Sequence, residues 1–263
     1  MRKIWIASLA ATTLGAGVIV SFASTGGETA TARTAQPAVP AARAQLSMAG
    51  PVVAELFTSQ GCSSCPPADA VAARLARDPA ILVISRPVTY WDRLGWKDSL
   101  GREENTRLQR QYGDTAFSGA NIYTPQLVVD GAAQSVGSQE AKVRNLIFRA
   151  GLKREMAGVS VQVSRTADGG RVVALDGQTG QNAELVLVAL SSHEMVNIGR
   201  GENGGRTVSY TNVVVDEFAA GRWTGGKQSI TLRAAQLKVP GADRYALILR
   251  RGAGSTIIGS ALI

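Results

Sequence analysis

The chain has 263 residues, 45% of them hydrophobic, and carries a formal net charge of +8. Residues 1–44 hold four basic residues and one acidic residue, so the remainder carries +5 as a mild excess spread along the chain. Because no run of Lys and Arg is interleaved with aromatic residues, the composition argues against a nucleic-acid partner.

The first 50 residues predict targeting and linker segments. Met1, Arg2 and Lys3 precede an uncharged run over residues 4–23, which is typical of a secretory signal. This run is also long enough to span a bilayer as an uncleaved N-terminal anchor. Residues 24–50 are rich in Ala, Thr, Pro and Gly and predict a disordered linker. We therefore expect an exported protein, periplasmic or secreted, that meets a membrane only if the segment is uncleaved.

Both cysteines lie in one Cys-x-x-Cys motif. Residues 52–58 are an apolar run typical of a buried strand, Cys62 and Cys65 follow, and residues 68–76 are strong helix formers. A cysteine at the first turn of a helix lies among unpaired N–H groups at the positive end of the dipole, which favours the reactive thiolate. We predict thiol–disulfide chemistry, in which Cys62 attacks because the first cysteine is normally nearer solvent, and Cys65 resolves the mixed disulfide.

Other interpretations of the motif stay open. An inert local disulfide would restrain the unfolded chain little, because the loop it closes is very short. A zinc site needs four ligands, and His193 is the single histidine of the chain, so we expect no metal and no cofactor. Pro66 and Pro67 fit only within a first helical turn, so the regular helix is expected to begin near Ser64, which weakens the dipole effect on Cys62.

The following segments continue an α/β pattern. Residues 80–85 predict a second strand, parallel to the first, and residues 92–121 predict a mostly polar insertion that is helical over 102–112. Trp91 and Trp96, at the start of this insertion, either wall a substrate cleft beside Cys62 or cap the core. The chain then predicts a strand that begins at a proline, a hairpin turn and an amphipathic helix; these are residues 122–131, Asp130-Gly131 and residues 139–149.

This order, with a Cys-x-x-Cys after the first strand, resembles the minimal core of the thioredoxin fold. The resemblance implies a cis peptide bond before Pro125, beside which Thr124 and Pro125 hold an extended thiol or disulfide substrate. A trans proline at a strand edge is the alternative. The chain is also similar to an exported thioredoxin-like family known as domain of unknown function family 1223. The motifs that carry this similarity are ELFTSQGCSSCPPAD at 55–69, YWD at 90–92, GWKD at 95–98, YTPQ at 123–126, VVDG at 128–131 and IGRGENGGR at 198–206.

The resemblance also suggests a carboxylate beneath the second cysteine, where thioredoxins carry a buried Asp that takes up the thiol proton. The nearest counterpart is Glu55 on the first strand. A buried Glu would have a raised pKa suited to this catalytic role. The alternative is a Glu at a strand edge that points to water.

The second half changes to short alternating strands separated by turns, which suggests an antiparallel β-sandwich-like domain over residues 158–263 after a thioredoxin-like domain over 51–157. The Gly-rich run at residues 199–205 predicts a long hairpin loop rather than a phosphate loop. Its polar residues either reach the redox cleft or form a solvated turn. His193 is predicted to be structural.

Two main functions and one weaker alternative follow. The first is an exported thiol–disulfide oxidoreductase whose partners are protein or small-molecule thiols and disulfides, with Cys62, Cys65 and Glu55 as catalytic residues and Thr124, Pro125, Trp91 and Trp96 around the substrate. The second is a non-catalytic secreted binding or scaffold protein on the same fold, whose disulfide merely persists. Copper delivery is a weaker third, because it requires a histidine near the thiols and His193 is distant in sequence.

Overall fold

The computed structural model of the chain describes residues 49–178, 180 and 182–263. The signal or anchor predicted over residues 1–23, and all of the predicted linker except its last two residues, lie outside the described residues. Among the described residues, the helices are too short or too polar to cross a membrane.

Three α-helices and eleven strands make up the described part of the chain. The helices are α1 (Pro66–Leu75), α2 (Glu103–Thr115) and α3 (Glu140–Ala157). The strands are β1 (Val52–Thr58), β2 (Ile81–Pro87), β3 (Gln126–Val129), β4 (Ala133–Val136), β5 (Ser160–Arg165), β6 (Arg171–Asp176), β7 (Ala183–Asn197), β8 (Thr207–Trp223), β9 (Gln228–Leu232), β10 (Arg244–Arg250) and β11 (Ile257–Leu262). Short 3-10 helices cover Asp92–Leu94 and Ala234–Leu237.

The first half forms four neighbouring strands in the order β2-β1-β3-β4. β1 runs parallel to β2 and antiparallel to β3, and β3 pairs with β4 as a hairpin. The predicted turn is confirmed: Asp130 and Gly131, with φ angles of 46° and 62°, lie in the three-residue connection between Val129 of β3 and Ala133 of β4, and positive φ values are typical of tight hairpin turns. The predicted βαβ unit is confirmed as well, since α1 joins β1 to β2.

The two faces of β1 meet different partners, because side chains alternate along a strand. Val52, Ala54 and Leu56 pack in one buried cluster with the apolar side of α1 and α3. Val53 and Phe57, on the opposite face, belong to other clusters; Phe57 packs with residues of α2. Side chains near the end of β1 therefore pack either with α1 on one face of the sheet or with α2 on the other face.

All seven strands predicted in the second half are confirmed, but their arrangement differs from our expectation. β7, β8, β10 and β11 extend the first-half sheet to eight strands, in the order β11-β10-β7-β8-β2-β1-β3-β4. The predicted sandwich-like packing of two antiparallel layers is present, but one of the two layers is continuous with the first-half sheet, which we did not expect. Within the first half, the edge of β2 that faces away from β1 has no partner, and β8 occupies it. An unpaired strand edge is a template for another strand. The division of the chain into two domains at residue 157 stays a prediction.

The junction between the halves depends on side chains. The β2–β8 ladder consists of one pairing, Ser85 with Val213. Ser85 Oγ donates to the carbonyl of Thr211 at 2.7 Å, and Asn212 Nδ2 donates to the carbonyl of Val83 at 2.9 Å. Asn212 has a φ of 51°, which asparagine tolerates better than most residues. These bonds hold the start of β8, and the loop before it, beside the first half.

The remaining strands form a second layer. β5, β6 and β9 make a three-stranded antiparallel sheet. Its inward side chains, such as Val173 and Leu175, pack with Leu185, Leu187 and Leu247 of the large sheet in one buried cluster. This two-layer packing stabilises the far end of the large sheet.

Candidate functional site

The two cysteines form a disulfide at the junction between β1 and α1. α1 begins at Pro66, and Cys65 is its N-cap residue, so the helix starts close to where the two prolines predicted. Cys62 lies three residues before this cap, and its carbonyl accepts the N–H of Cys65 at 3.1 Å. The positive end of the helix dipole therefore acts on Cys65 more than on Cys62.

Both cysteines are completely buried. The expectation that Cys62 lies nearer solvent is wrong for this structure, because another part of the chain covers the turn. The intervening residues Ser63 and Ser64 are exposed. The hydroxyl of Ser64 contacts the first cysteine, since its Oγ lies 3.4 Å from Cys62 Sγ.

The cover is the loop between β7 and β8, residues 198–206. Asn203 is fully buried, and its Nδ2 donates to the carbonyls of Gln60 at 3.0 Å and Cys62 at 2.8 Å. Glu202 accepts the backbone N–H of Ser63 at 2.9 Å. Hydrogen bonds from Ser63 hold the pKa of Glu202 below its usual range. Of the two interpretations of the Gly-rich loop, the one in which its polar residues reach the cysteine motif is confirmed for Glu202 and Asn203.

Both tryptophans lie against the same turn. Trp91 Nε1 donates to Thr124 Oγ1 at 2.8 Å. Trp91 also packs closely against Gly61, since a Cβ atom added to this glycine would lie 3.2 Å from the Cβ of Trp91. Trp96 Nε1 donates to Gln60 Oε1 at 2.9 Å. Trp96 also packs under the covering loop, since its ring lies 3.0 Å from the position of a Cβ on Gly199. Trp91 and Trp96 thus lie against Gly61 and Gln60, the two residues just before Cys62, and their role in substrate binding stays a prediction.

The peptide bond between Thr124 and Pro125 is cis, as expected. Pro125 lies on the α1 side of the sheet, close to the start of that helix. The Cβ atoms of Ala68 and Pro125 lie 3.0 and 3.6 Å from the point where a side chain on Gly137 would begin. The structure therefore brings Thr124, Pro125 and Trp91 to the same end of the sheet as the disulfide.

Glu55 is not brought to the cysteines. Its side chain projects from the face of β1 opposite to Leu56 and α1. It is fully buried, accepts the Nε of Arg86 at 2.6 Å on Oε1 and accepts the hydroxyl of Tyr112 on Oε2. The alternative of a strand-edge Glu that points to water was therefore wrong. The position and partners of Glu55 favour a structural role over the predicted catalytic one.

Sequence reasoning missed a different carboxylate, Asp69. It lies on α1, four residues after Cys65, and only 3% of it is exposed. Within the part of the chain that the structure describes, neither of its side-chain oxygens has a hydrogen-bond partner. Burial raises the pKa of Asp69 to about 8, and the charge of Asp98 adds to this effect, although the nearby Thr58 hydroxyl opposes it. The available signal was the spacing, because residues i and i+4 of a helix share a face.

Removing the amide of Asn203 should make the disulfide easier to reduce. Each of its two hydrogen bonds to the cysteine turn contributes about 0.5–1.5 kcal/mol, so Asn203→Ala should open the covering loop more often. We expect the disulfide to react with dithiothreitol about tenfold faster than in the unchanged protein, as followed by thiol alkylation and mass spectrometry.

A matched control is Asn145→Ala, which removes an exposed asparagine on α3. It should leave the reduction rate unchanged. An Asn203→Ala protein that is reduced no faster than this control would mean that the loop is not what limits access to Cys62.

Comparisons with known proteins agree with the sequence motifs. The model of the family described as "Protein of unknown function (DUF1223)" matches residues 53–250. The crystal structure of protein AGR_C_4864 from Agrobacterium tumefaciens is similar, with a TM-score of 0.69 and 28% identity over 83% of this chain and 95% of that one. HBP35 of Porphyromonas gingivalis shares the fold at a TM-score of 0.52 and 14% identity, over 81% of this chain and 74% of that one. No curated protein matches the sequence significantly. Since the family model spans most of the chain, including the Cys62–Cys65 pair, this protein belongs to the DUF1223 family.

Proposed function

We propose that this protein is an exported thiol–disulfide oxidoreductase with a thioredoxin-like first half. The observation that carries the proposal is the Cys62–Cys65 disulfide at the start of α1, at the same end of the sheet as the cis Thr124–Pro125 bond. The strand order β2-β1-β3-β4, with α1 between β1 and β2, supports the thioredoxin-like description. Protein or small-molecule thiols and disulfides are the proposed substrates.

The proposed chemistry is a pair of exchange steps. A thiolate of Cys62 attacks a substrate disulfide, forms a mixed disulfide and releases one substrate sulfur as thiolate. Cys65 then attacks Cys62, which re-forms the Cys62–Cys65 bond and releases the second substrate sulfur. The substrate gains two electrons that the dithiol loses, and the reverse sequence oxidises a substrate dithiol.

Burial of both sulfurs adds a requirement. An external thiol cannot reach Cys62 in the structure as it stands, because Cys62 is completely buried and Asn203 is bonded to its carbonyl. In the proposed cycle the loop over residues 198–206 withdraws before exchange. Trp91 and Thr124 then border the opened site, where an extended substrate would bind.

The same burial favours the second candidate, a non-catalytic binding or scaffold protein with a structural disulfide. The two functions differ in reduction potential. Exchange enzymes have potentials between about −120 and −270 mV, whereas structural disulfides of secreted proteins fall below about −300 mV.

A redox titration separates them. The protein is equilibrated in dithiothreitol and glutathione buffers, and the free thiols are counted by alkylation and mass spectrometry. We expect a midpoint within the enzymatic range, and a midpoint below about −300 mV would overturn the proposed function in favour of the scaffold. In the same buffers, Cys65→Ser should retain one glutathione on Cys62, and Cys62→Ser should retain much less if Cys62 is the attacking sulfur.

A further inference from the structure

A groove opens beside the C-terminal half of α3, at the end of β1 opposite to the cysteines. One wall is α3 itself, and the other is formed by the β3–β4 hairpin and the start of β11. Asp130, just after β3, donates its backbone N–H to the carbonyl of Val53 near the start of β1, whereas the disulfide follows the end of β1. Because β1 has seven residues, it spans roughly 20 Å. The groove is therefore a separate site from the disulfide.

The surface of the groove is largely apolar. Its volume is about 570 Å³, within the range of about 300–1,000 Å³ that is typical of small-molecule sites. Leu152 and Met156 line it and are 46% and 86% exposed, although both are large apolar side chains. Leu146, which is half-buried, and Ile257, which is buried, line it as well. An apolar chain bound in the groove would remove this surface from water, which is favourable.

Three cations also line the groove: Arg149 and Lys153 of α3, and Arg251 just after β10. All three are exposed, and within the described part of the chain none of them forms an ion pair or a side-chain hydrogen bond. The carboxylate that lines the groove, that of Asp130, is bound by Arg154 at 2.6 and 2.7 Å. The groove therefore combines an apolar surface with an excess of positive charge.

This combination favours one kind of occupant over others. A second copy related by two-fold symmetry would bring Arg149 and Lys153 of both chains close together, and like charges repel. A membrane surface would contact the exposed Met156 but would leave the recess beside the buried Ile257 unfilled. A single apolar chain with a negatively charged end matches both the recess and the cations.

We propose that this groove binds a single-chain amphiphile with an anionic headgroup, such as a fatty-acid carboxylate. The apolar chain lies along Leu146, Leu152 and Met156, and the headgroup lies among Arg149, Lys153 and Arg251. This binding function goes beyond thiol–disulfide exchange and does not depend on it.

Two exposed methionines in the described part of the chain allow a local measurement. Hydrogen peroxide oxidises an accessible methionine to its sulfoxide. Met156 lines the groove, whereas Met195 lies on β7 and is 66% exposed. The full chain is treated with peroxide in the presence of monomeric decanoate, a fatty-acid carboxylate, and each sulfoxide is quantified by peptide mass spectrometry. With decanoate at about ten times its dissociation constant, we expect Met156 to be oxidised about tenfold more slowly and Met195 at the unchanged rate.

Two further ligands and a pair of lysine variants test the two halves of the proposed ligand. Acetate has the headgroup without the chain, and decanol has the chain without the charge, so both should protect Met156 less than decanoate at the same concentration. Lys153→Gln should raise the decanoate concentration for half-protection about tenfold, the effect of losing one hydrogen bond to a charged group. Lys142→Gln changes an exposed lysine of the same helix that does not line the groove, and it should leave this concentration unchanged.

Several outcomes would overturn the proposal. Met156 that is oxidised equally fast with and without decanoate would mean that the groove does not hold the chain. Protection by phosphatidylglycerol vesicles but not by decanoate would assign this face to a membrane. Protection that rises with protein concentration in the absence of any ligand would assign it to a second copy. Equal effects of Lys153→Gln and Lys142→Gln would contradict the anionic headgroup.

Discussion

Replacing Arg86 with methionine is expected to lower the free energy of unfolding by about 3–5 kcal/mol, the usual cost of leaving a buried charge without its partner. Arg86 is 1% exposed, its Nε donates to Glu55 at 2.6 Å, and its Nη1 lies 2.9 Å from Glu217 Oε2. Methionine would fill the same space but, within residues 49–178, 180 and 182–263, would leave Glu55 with the hydroxyl of Tyr112 as its one remaining hydrogen-bond partner.

The chain offers a matched control for this prediction. Arg74 pairs with Glu140 at the same distance, 2.6 Å, but its side chain is 47% exposed. Because solvent screens such a pair, Arg74→Met should change the free energy of unfolding by at most about 1 kcal/mol. Urea denaturation of both variants, with the disulfide intact, measures the difference. Equal effects would mean that Glu55 does not depend on Arg86 for its burial.

Glu55 also shows where a strand pattern stops being informative. In β1, the residues at even positions and those at odd positions are apolar on both sides of Glu55, as expected for a strand that is buried on both faces. The alternation shows that Glu55 and Leu56 face opposite ways, but it does not reveal which face lies under α1. That depends on the packing of α1 and α3 against Leu56, which involves contacts distant in sequence.

Some features of the candidate site could likewise be predicted from the local sequence, whereas another depends on contacts distant in sequence. The cysteine pair and the strand–turn–helix order follow from local signals: the spacing of Cys62 and Cys65 and the apolar runs beside them. The cis bond before Pro125 was expected from the resemblance to the thioredoxin fold. The cover over Cys62 does not, because Asn203 reaches it only when β8 joins the edge of β2. A Gly-rich hairpin loop alone carries no information about the strand its hairpin will pair with.

The burial of Asp69, but not its surroundings, could be predicted from the sequence. Cys65, Ala68, Asp69 and Ala72 are all buried, with the i, i+3, i+4, i+7 spacing of a single helix face. A polar residue inside such a pattern indicates either a break in the helix or a buried polar group. The surroundings of its carboxyl group, which include Thr58, Asp98 and Tyr210, become visible only in three dimensions.

The burial of the Asp69 carboxyl group predicts a pH-dependent loss of stability in the oxidised protein. The unfolded chain releases the Asp69 proton near its ordinary pKa of 3.8, whereas the folded protein holds it to about pH 8. Between these values the unfolded state binds fewer protons, so the free energy of unfolding falls as the pH rises. With about 1.4 kcal/mol for each pH unit, this contribution amounts to about 4 kcal/mol between pH 4 and pH 7.

Asp69→Asn removes that contribution, because an amide does not titrate in this range. We expect the variant to gain stability relative to the unchanged protein by about 4 kcal/mol between pH 4 and pH 7, as measured by urea denaturation at several pH values. The comparison uses the change with pH rather than the value at one pH, so a constant cost of burying the amide cancels. Asp168→Asn, at an exposed aspartate whose pKa is lowered by the hydroxyl of Thr166, should show no such gain. A difference between Asp69→Asn and the unchanged protein that stays constant from pH 4 to pH 7 would mean that Asp69 is ionised in the folded state.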